Sequence, residues 1–426
     1  MIESGDRMRI QKVTLTNFKG IDYSELNLEG KCTVFYGVNG VGKTTILRAI
    51  DLLYSSIINK IVQNRFKQGI QIELTDIKFG KSSCEILGEF FFENCNEIIS
   101  YHRRMQRKEK KRTHNIVALK QIADIFQNTY VYNEVGMPIF VNYGVNRTVM
   151  DIPLRIRNTH IFDKESAFEK AIESKIDFRT FFEWFRYEED LENQIRVREN
   201  PQYTDIALKS VKNAVYAMLE GVSNLRIERN PLAMKIDKDN LSLQVDQLSD
   251  GEKCTLALFG DLARRLALAN PVSDNPLLGT GVVLIDEIEL HMHPSWQRKI
   301  LPVLKKCFPN IQFIVTTHSP QVLGELDENY NIFSIEKINE AIVYNLVPPL
   351  IGWDSNYILK CFMNTENLNL ETQKLIEKMY DLICDGKLDD SELLVKKLEQ
   401  LTDTAHEDAI KARMLIRRGR KQNEKN

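Results

Sequence analysis

Cys32-Thr33-Val34-Phe35-Tyr36-Gly37-Val38-Asn39-Gly40-Val41-Gly42-Lys43-Thr44 decides how the chain is read: an apolar run leads straight into G-x-x-x-x-G-K-T. Five apolar or β-branched residues predict a buried strand, and the glycines let the backbone turn sharply with its N–H groups aimed inward. Thr45 to Ile61 then carries Ile46, Leu47, Ile50, Leu53, Tyr54 and Ile57 at helical spacing, so the loop opens a helix. Strand, loop and helix in that order make a concave phosphate site at a helix N-terminus. Gly37, Val38, Asn39, Gly40, Val41, Gly42, Lys43, Thr44 and Thr45 are its residues, with Lys43 reaching the β- and γ-phosphates of ATP and Thr44 ligating Mg2+.

A second apolar run, Gly281-Val282-Val283-Leu284-Ile285, ends in Asp286-Glu287. Such a run predicts a strand buried on both faces with charge at its C-terminal end. Paired with the phosphate loop, Asp286 is assigned to the metal and Glu287 to polarising the attacking water. A third run, Gln312 to Thr317, delivers His318-Ser319-Pro320, where the imidazole can sense a γ-phosphate. The His291-Met292-His293 sequence lacks a third ligand at metal spacing and is not read as a zinc site. In Leu248-Ser249-Asp250-Gly251-Glu252, Ser249 caps a helix beginning near Cys254, with Glu252 completing a capping box.

Upstream, residues 9–29 alternate in polarity, predicting two strands joined around Lys19-Gly20-Ile21. A two-residue period over 70–105 (Ile70, Ile72, Leu74; Phe90, Phe92; Ile98, Tyr101) predicts a strand-rich wing. It ends in Arg103, Arg104, Arg107, Lys108, Lys110, Lys111 and Arg112, opposed by Glu109 alone. This run is a solvated hairpin on one reading and a salt-sensitive DNA contact on the other. Pro138 to Val145 reads as a short buried strand, 164–220 as helical with its aromatic residues in the core, and 225–245 as three short strands. The tail from about Thr365 is helical, packing through Leu368, Leu375, Ile376, Met379, Leu382, Leu388, Leu393, Leu394, Leu398 and Leu401. Four regions follow: 1–150 as an ATPase lobe with a β-rich wing, 151–222 as a helical insertion, 223–347 as the lobe bearing Asp286 and His318, and 348–426 as a helical tail.

Across 426 residues, 57 Lys and Arg against 59 Asp and Glu give a formal charge of -2, which excludes a global pull toward nucleic acid or membrane. Seven scattered cysteines show no CxxC pair, and no apolar run is long enough to span a bilayer. The expected location is the cytoplasm.

Taken together, these motifs resemble the ATP-binding-cassette ATPases, in particular the soluble SMC/RecF-like and OLD-like group, from Ile10 to about Val347. The opening Leu15-Thr16-Asn17-Phe18-Lys19-Gly20 is similar to that group's first strand, LSDGE at 248–252 to its LSGGQ signature, Asp286-Glu287 to Walker B, and His318 to the switch histidine. The resemblance implies an α/β P-loop fold, an ABC-type head with a mixed β-sheet lobe. It also implies a dimer, or a higher homo-oligomer, that clamps ATP head to tail, with Ser249 and Gly251 of one chain completing the γ-phosphate site of the other. Asp250 and Glu252 depart from the signature and imply slow or partner-gated turnover. The Q-loop glutamine has only Gln127 and Asn142 as candidates.

The 206 residues from Lys43 to Ser249 contain no heptads, so no DNA-entrapping coiled coil is expected. No acidic metal cluster follows His318, so no intrinsic nuclease is expected. With DEIELHMHP, GWDSNYIL and ARMLIRR, the chain resembles the ATPase subunit of Septu-type anti-phage systems, including retron-linked ones. That resemblance implies a separately encoded HNH nuclease as partner. The alternative reading is a RecF-like DNA-repair ATPase.

Overall fold

The alternation after Met8 produces an antiparallel pair, β1 (Met8–Phe18) and β2 (Ile21–Asn27), whose buried residues recur on one face. The continuous apolar run that follows forms β3 (Cys32–Tyr36), buried throughout. Its glycine loop opens α1 (Lys43–Ile61). The computed structural model describes residues 7–62, 70–93, 95–131, 136–147, 161–339, 341–365, 369–402 and 406–423. It forms two units, Met1–Ser355 and Asn356–Asn426. The sequence boundary at 150/151 lies outside the described residues, as does Leu368.

In the first unit β4 (Ser83–Phe92), β5 (Glu97–Gln106) and β6 (Lys111–His114) extend the β1–β2 pair into an antiparallel sheet ordered β2-β1-β4-β5-β6. After α2 (Ile116–Phe126), β7 (Ile139–Tyr143) joins a second sheet. Helices α3 (Phe178–Arg198) and α4 (Ile206–Met218) precede a three-stranded sheet of β8 (Val222–Arg229), β9 (Leu232–Lys238) and β10 (Leu241–Gln244). Helix α5 (Asp250–Ala269) leads to β11 (Gly281–Ile285), α6 (Pro294–Cys307), β12 (Ile311–Thr317), the single turn α7 (Pro320–Leu323), β13 (Tyr330–Ile338) and β14 (Ala341–Val347).

The six-stranded sheet runs β14-β13-β3-β12-β11-β7, parallel except for β14. Parallel neighbours bury both faces, which is why β3, β7, β11 and β12 carry continuous apolar runs. Helix α1 packs toward both large sheets. Tyr54 stacks on Phe140 of β7 at 3.7 Å between ring centroids and meets Phe90 of β4 edge-on at 5.4 Å.

Helix α5 is the buried spine of this unit, with almost every residue from Cys254 to Ala269 inaccessible. That burial includes charge. Asp261 accepts from Arg264 Nη2 at 2.6 Å, from Arg265 Nε at 2.7 Å and from the Tyr143 hydroxyl at 2.9 Å. Arg265 also donates to the carbonyls of Ala167 and Glu169, while Arg264 Nη1 is buried without a partner. Asp261→Asn would leave two buried guanidinium groups uncompensated. It is expected to cost about 3–5 kcal/mol of unfolding free energy, against about 0.5 kcal/mol or less for the exposed Asp274→Asn. Denaturant unfolding of the two variants side by side measures the difference, and equal losses would contradict it.

Two expectations for this unit change. Residues 70–74 form no strand but run into the 3-10 turn Leu74–Asp76. Their carbonyls are taken by side chains instead: Ile70 by Ser55 and Arg103, Ile72 by Arg112. Arg103 itself is buried, held by the Ser55 hydroxyl and by the carbonyls of Leu52 and Ile70, so it is a structural cation rather than part of a charged surface. The aromatic stripe of α3 is core, since Phe178, Phe181, Phe182, Trp184 and Phe185 are all buried.

In the second unit α8 (Ser355–Cys361, its first residue still in the first unit) precedes α9 (Leu370–Cys384), α10 (Leu388–Thr402) and α11 (Glu407–Asn423). The last three enclose a separate core of Ile376, Met379, Val395, Leu398, Ala409, Ala412 and Ile416. Leu393 and Leu401, expected inside, are exposed, and Val395 takes the inward position on α10. The buried stripe of α10 is Ser391, Val395 and Leu398, at i, i+4 and i+7; Leu393 faces away from it, and Leu401 sits in the last turn of the helix.

Candidate nucleotide site

Tight backbone geometry sets the loop after β3. A Cβ on Gly37 would stand 2.5 Å from the Ile335 carbonyl oxygen, and Gly40 has φ 76°, in the left-handed region. Gly42 is the N-cap of α1 and offers no side-chain hydrogen bond, and the first turn carries no acid. By contrast, α2, α3, α4 and α5 are capped by Asn115, Asp177, Asp205 and Ser249. Thus α1 keeps its first N–H groups and its positive dipole end for an external anion. Lys43 Nζ donates to the carbonyls of Gly37 at 2.9 Å and Val38 at 3.0 Å, so its ammonium lies along the inside of the loop. Burial pushes this lysine below its ordinary value, against the pull of Glu287, Asp286 and Glu289.

The parallel register brings the ends of β3, β11 and β12 together. Thr44 Oγ1 donates to Asp286 Oδ2 at 3.0 Å, and Thr316 Oγ1 donates to Asp286 Oδ1 at 2.6 Å. Glu287 N–H in turn donates to Thr316 Oγ1 at 2.7 Å. Thr44 and Asp286 therefore present two oxygens at one point, a donor set that suits a hard cation whose other positions go to water and phosphate. Among the described residues there is no cluster of three or more His, Cys, Asp or Glu that can hold a metal by itself. Whatever metal binds here would share its shell with the nucleotide.

His318 follows β12, its N–H donating to Glu289 Oε1 at 2.6 Å while Thr317 Oγ1 donates to Glu289 Oε2 at 2.7 Å. Burial first, and the Lys43 ammonium second, hold the imidazole below its ordinary value, against Glu289, Glu287 and Asp286. Protonation is thereby disfavoured at neutral pH. An NMR titration is expected to place His318 below 6.5 and to show it rising in Lys43→Met, which removes the second cause; a midpoint above 6.5 in the wild type would contradict this.

Ser249 and Gly251 lie at the start of α5. Ser249 is the N-cap and donates its hydroxyl to Glu252 Oε2 at 2.7 Å, and Lys238 Nζ donates to Glu252 Oε1 at 2.6 Å. Burial alone would raise the Glu252 carboxyl, but Lys238 and the Ser249 hydroxyl and amide outweigh it and hold it below the usual range. The carboxylate at 252 is thus occupied within its own chain rather than aimed outward. A Cβ on Gly251 would come within 2.6 Å of the His291 carbonyl, so this turn packs directly on the loop that follows Glu287.

Neither candidate for the Q-loop joins the site. Asn142 is buried on β7 and donates to Asp51 and, at 2.9 Å, to Ser174. Gln127 lines a cavity with Ser56, Asn59 and Lys60, at the far end of α1 from the phosphate loop. Two neighbours of the acidic pair receive no role from the sequence. Glu289 orders the His318 turn, and the buried Arg147 donates to the carbonyls of Asp286 and Glu287. For Glu289, the spacing Asp286-x-x-Glu289 was a usable signal; for Arg147 there was none.

Family models described as AAA domains match residues 12–214 and 162–324, and between them they take in the phosphate loop, Asp286-Glu287 and His318. The Retron Ec83 probable ATPase of Escherichia coli is 34% identical over 385 residues, covering 76% of this chain and 71% of that protein. The chain belongs to the ABC-type AAA ATPases related to the retron probable ATPases. Within this family, the Retron Vc95 probable ATPase of Vibrio cholerae is 25% identical over 97% of this chain and 87% of its own length. The Septu protein PtuA of Bacillus thuringiensis is 22% identical over 84% of each.

The fold is also that of SMC heads. The solved SMC head bound to the C-winged helix domain of ScpA covers 80% of this chain and 98% of its own, with TM-score 0.52 at 16% identity. As a P-loop ATPase of this family the chain binds ATP. Among the described residues, no helix is long and apolar enough to cross a membrane.

Proposed function

We propose that this ATPase serves an anti-phage defence system of the retron and Septu kind, pairs through ATP, and controls a separately encoded HNH nuclease by its nucleotide state. The observation that carries the reading is the Thr44–Asp286–Thr316–Glu287 chain of hydrogen bonds, which ties the phosphate loop to the acidic pair. ATP would lie in the loop of residues 37–45, its phosphates on the N–H groups opening α1 and on Lys43. Thr44 and Asp286 would hold Mg2+, which supplies charge neutralisation on the β- and γ-phosphate oxygens. Glu287 would take a proton from the attacking water, and His318, neutral, would hydrogen-bond the γ-phosphate.

Ser249 is exposed and Gly251 half-buried at the N-terminus of α5, so a second copy can present this corner to the γ-phosphate of the first. Closure then exists only with nucleotide in place, a two-state element that a nuclease can read. The test is phage plating on cells carrying this gene with its neighbouring genes, in wild-type form and with Glu287→Gln. Altered protection, dependent on an adjacent HNH gene, is the expected result; unchanged protection would count against the reading.

A second reading, a DNA-binding repair ATPase, rests on the exposed Arg104, Lys108, Lys110 and Lys111 near the β5–β6 hairpin and on a 33% match to the DNA replication and repair protein RecF of Parabacteroides distasonis over 25% of this chain. It predicts DNA-stimulated hydrolysis that weakens steeply with salt.

A further inference from the structure

Arg147, four residues beyond β7, is 2% exposed. One terminal nitrogen donates to the Asp286 carbonyl at 2.9 Å and also to the Glu287 carbonyl. Its Nε is buried without a partner, and among the described residues none of its hydrogen bonds goes to a carboxylate. Arg264 and Arg265, also deeply buried, pair with Asp261 instead, whereas the buried Arg103 is, like Arg147, held by neutral oxygens. A cation taken out of water without an anionic partner is costly unless the local field favours it. Burial holds Arg147 below its ordinary value, and Cys254, Glu289, Asp286 and Glu287 oppose that only in part, the three acids lying on the turn behind which the guanidinium sits.

That turn needs holding. Glu287 has φ 48°, a left-handed conformation that a residue with a side chain rarely adopts. Its N–H is fixed by Thr316, and its carbonyl accepts from the Leu290 N–H at 2.9 Å and from Arg147, which is the contact that also reaches the Asp286 carbonyl. Arg147 is itself anchored: its N–H donates to the Val145 carbonyl at 3.0 Å, Asn146 bridges to Lys175, and a Cβ on Gly144 would lie 2.7 Å from the Ser174 carbonyl. Cys254, one turn into α5, is close enough to interact with the same guanidinium.

We propose that Arg147 is a positioning residue for ATP hydrolysis, holding the Asp286–Glu287 turn so that the Glu287 carboxylate stays directed at the phosphate loop. This rests on the reading of Glu287 as the group that activates water. Arg147 touches no nucleotide in this scheme, so its loss separates turnover from binding.

The test is ATP turnover and binding of a fluorescent ATP analogue, in full-length wild type, Arg147→Gln, Arg147→Lys, Glu287→Gln and the double variant Arg147→Gln/Glu287→Gln. Arg147→Gln is expected to lower kcat about tenfold or more while the analogue's Kd stays within about threefold. Arg147→Lys, which keeps a donor for the two carbonyls, recovers part of the loss and serves alone if the glutamine variant does not fold. In the Glu287→Gln background, Arg147→Gln adds no more than about a twofold loss, because the two act as one unit. The proposal is overturned by an unchanged kcat in Arg147→Gln, by a Kd that weakens as much as kcat falls, or by a full second loss in the double variant. If Glu287→Gln alone turns over ATP like the wild type, the reading of Glu287 fails first and Arg147 has nothing to position, a result visible in that single variant.

Discussion

Lys43→Ala lowers ATP turnover about 10²–10³-fold, the loss that follows removal of one preorganised donor from a charge-stabilising site, and abolishes phage protection. Lys43 is 6% exposed and its ammonium is already bonded to the Gly37 and Val38 carbonyls, so it is placed before any nucleotide arrives. Its removal also takes a lysine cation facing Asp286, Glu287 and Glu289, leaving three acids to repel the triphosphate. ATP affinity therefore falls with turnover, which distinguishes this variant from one that damages chemistry alone. Fold is spared, because the α1 core of Ile46, Leu47, Ile50 and Leu53 is untouched. Calorimetric titration with Mg-ATP beside a thermal melt reads both quantities, and wild-type affinity in a folded Lys43→Ala chain would remove the phosphate loop from the account.

Glu287→Gln acts on the other half of the chemistry. Its amide keeps the shape of the carboxylate and cannot take a proton from water, so turnover drops about 10²–10⁴-fold while ATP binding persists. The backbone of residue 287 is held by Thr316 and Arg147 through its N–H and carbonyl, contacts that the substitution leaves in place. A single-turnover measurement with bound ATP isolates this step. Hydrolysis within about twofold of wild type would mean that another group activates the water.

What could be read from the sequence follows from where each interaction lies along the chain. The phosphate loop is contiguous, and its glycines, lysine and threonine answer constraints that one turn of backbone imposes. The runs feeding Asp286 and His318 are legible because parallel strands buried on both faces must be apolar throughout. The Ser249–Glu252 capping box is local as well, and it forms as its spacing predicts.

Long-range satisfaction of polar groups is not legible in this way. Arg103 stood in a run of cations, yet the Ile70 and Leu52 carbonyls draw it inward and in doing so keep 70–74 out of a sheet. Arg147 lies 139 residues from the Asp286 carbonyl it supports, with no motif to mark it. Asn142 carries a side chain that a phosphate sensor could use, but Asp51 and Ser174 claim it. In the tail, a count of leucines misses the phase of α10, where Val395 rather than Leu393 meets the core.

In the proposed pairing, ATP joins two copies of this chain, each supplying Ser249 and Gly251 to the other's phosphate loop. Light scattering of the Glu287→Gln protein with and without Mg-ATP measures it most directly, with Ser249→Arg/Glu287→Gln as the control that still binds ATP but places a bulky side chain at the shared corner. ATP is expected to double the mass of each assembly unit in Glu287→Gln and to leave it unchanged in the control. The same mass with and without ATP in Glu287→Gln, or an equal ATP-driven increase in both proteins, would contradict it.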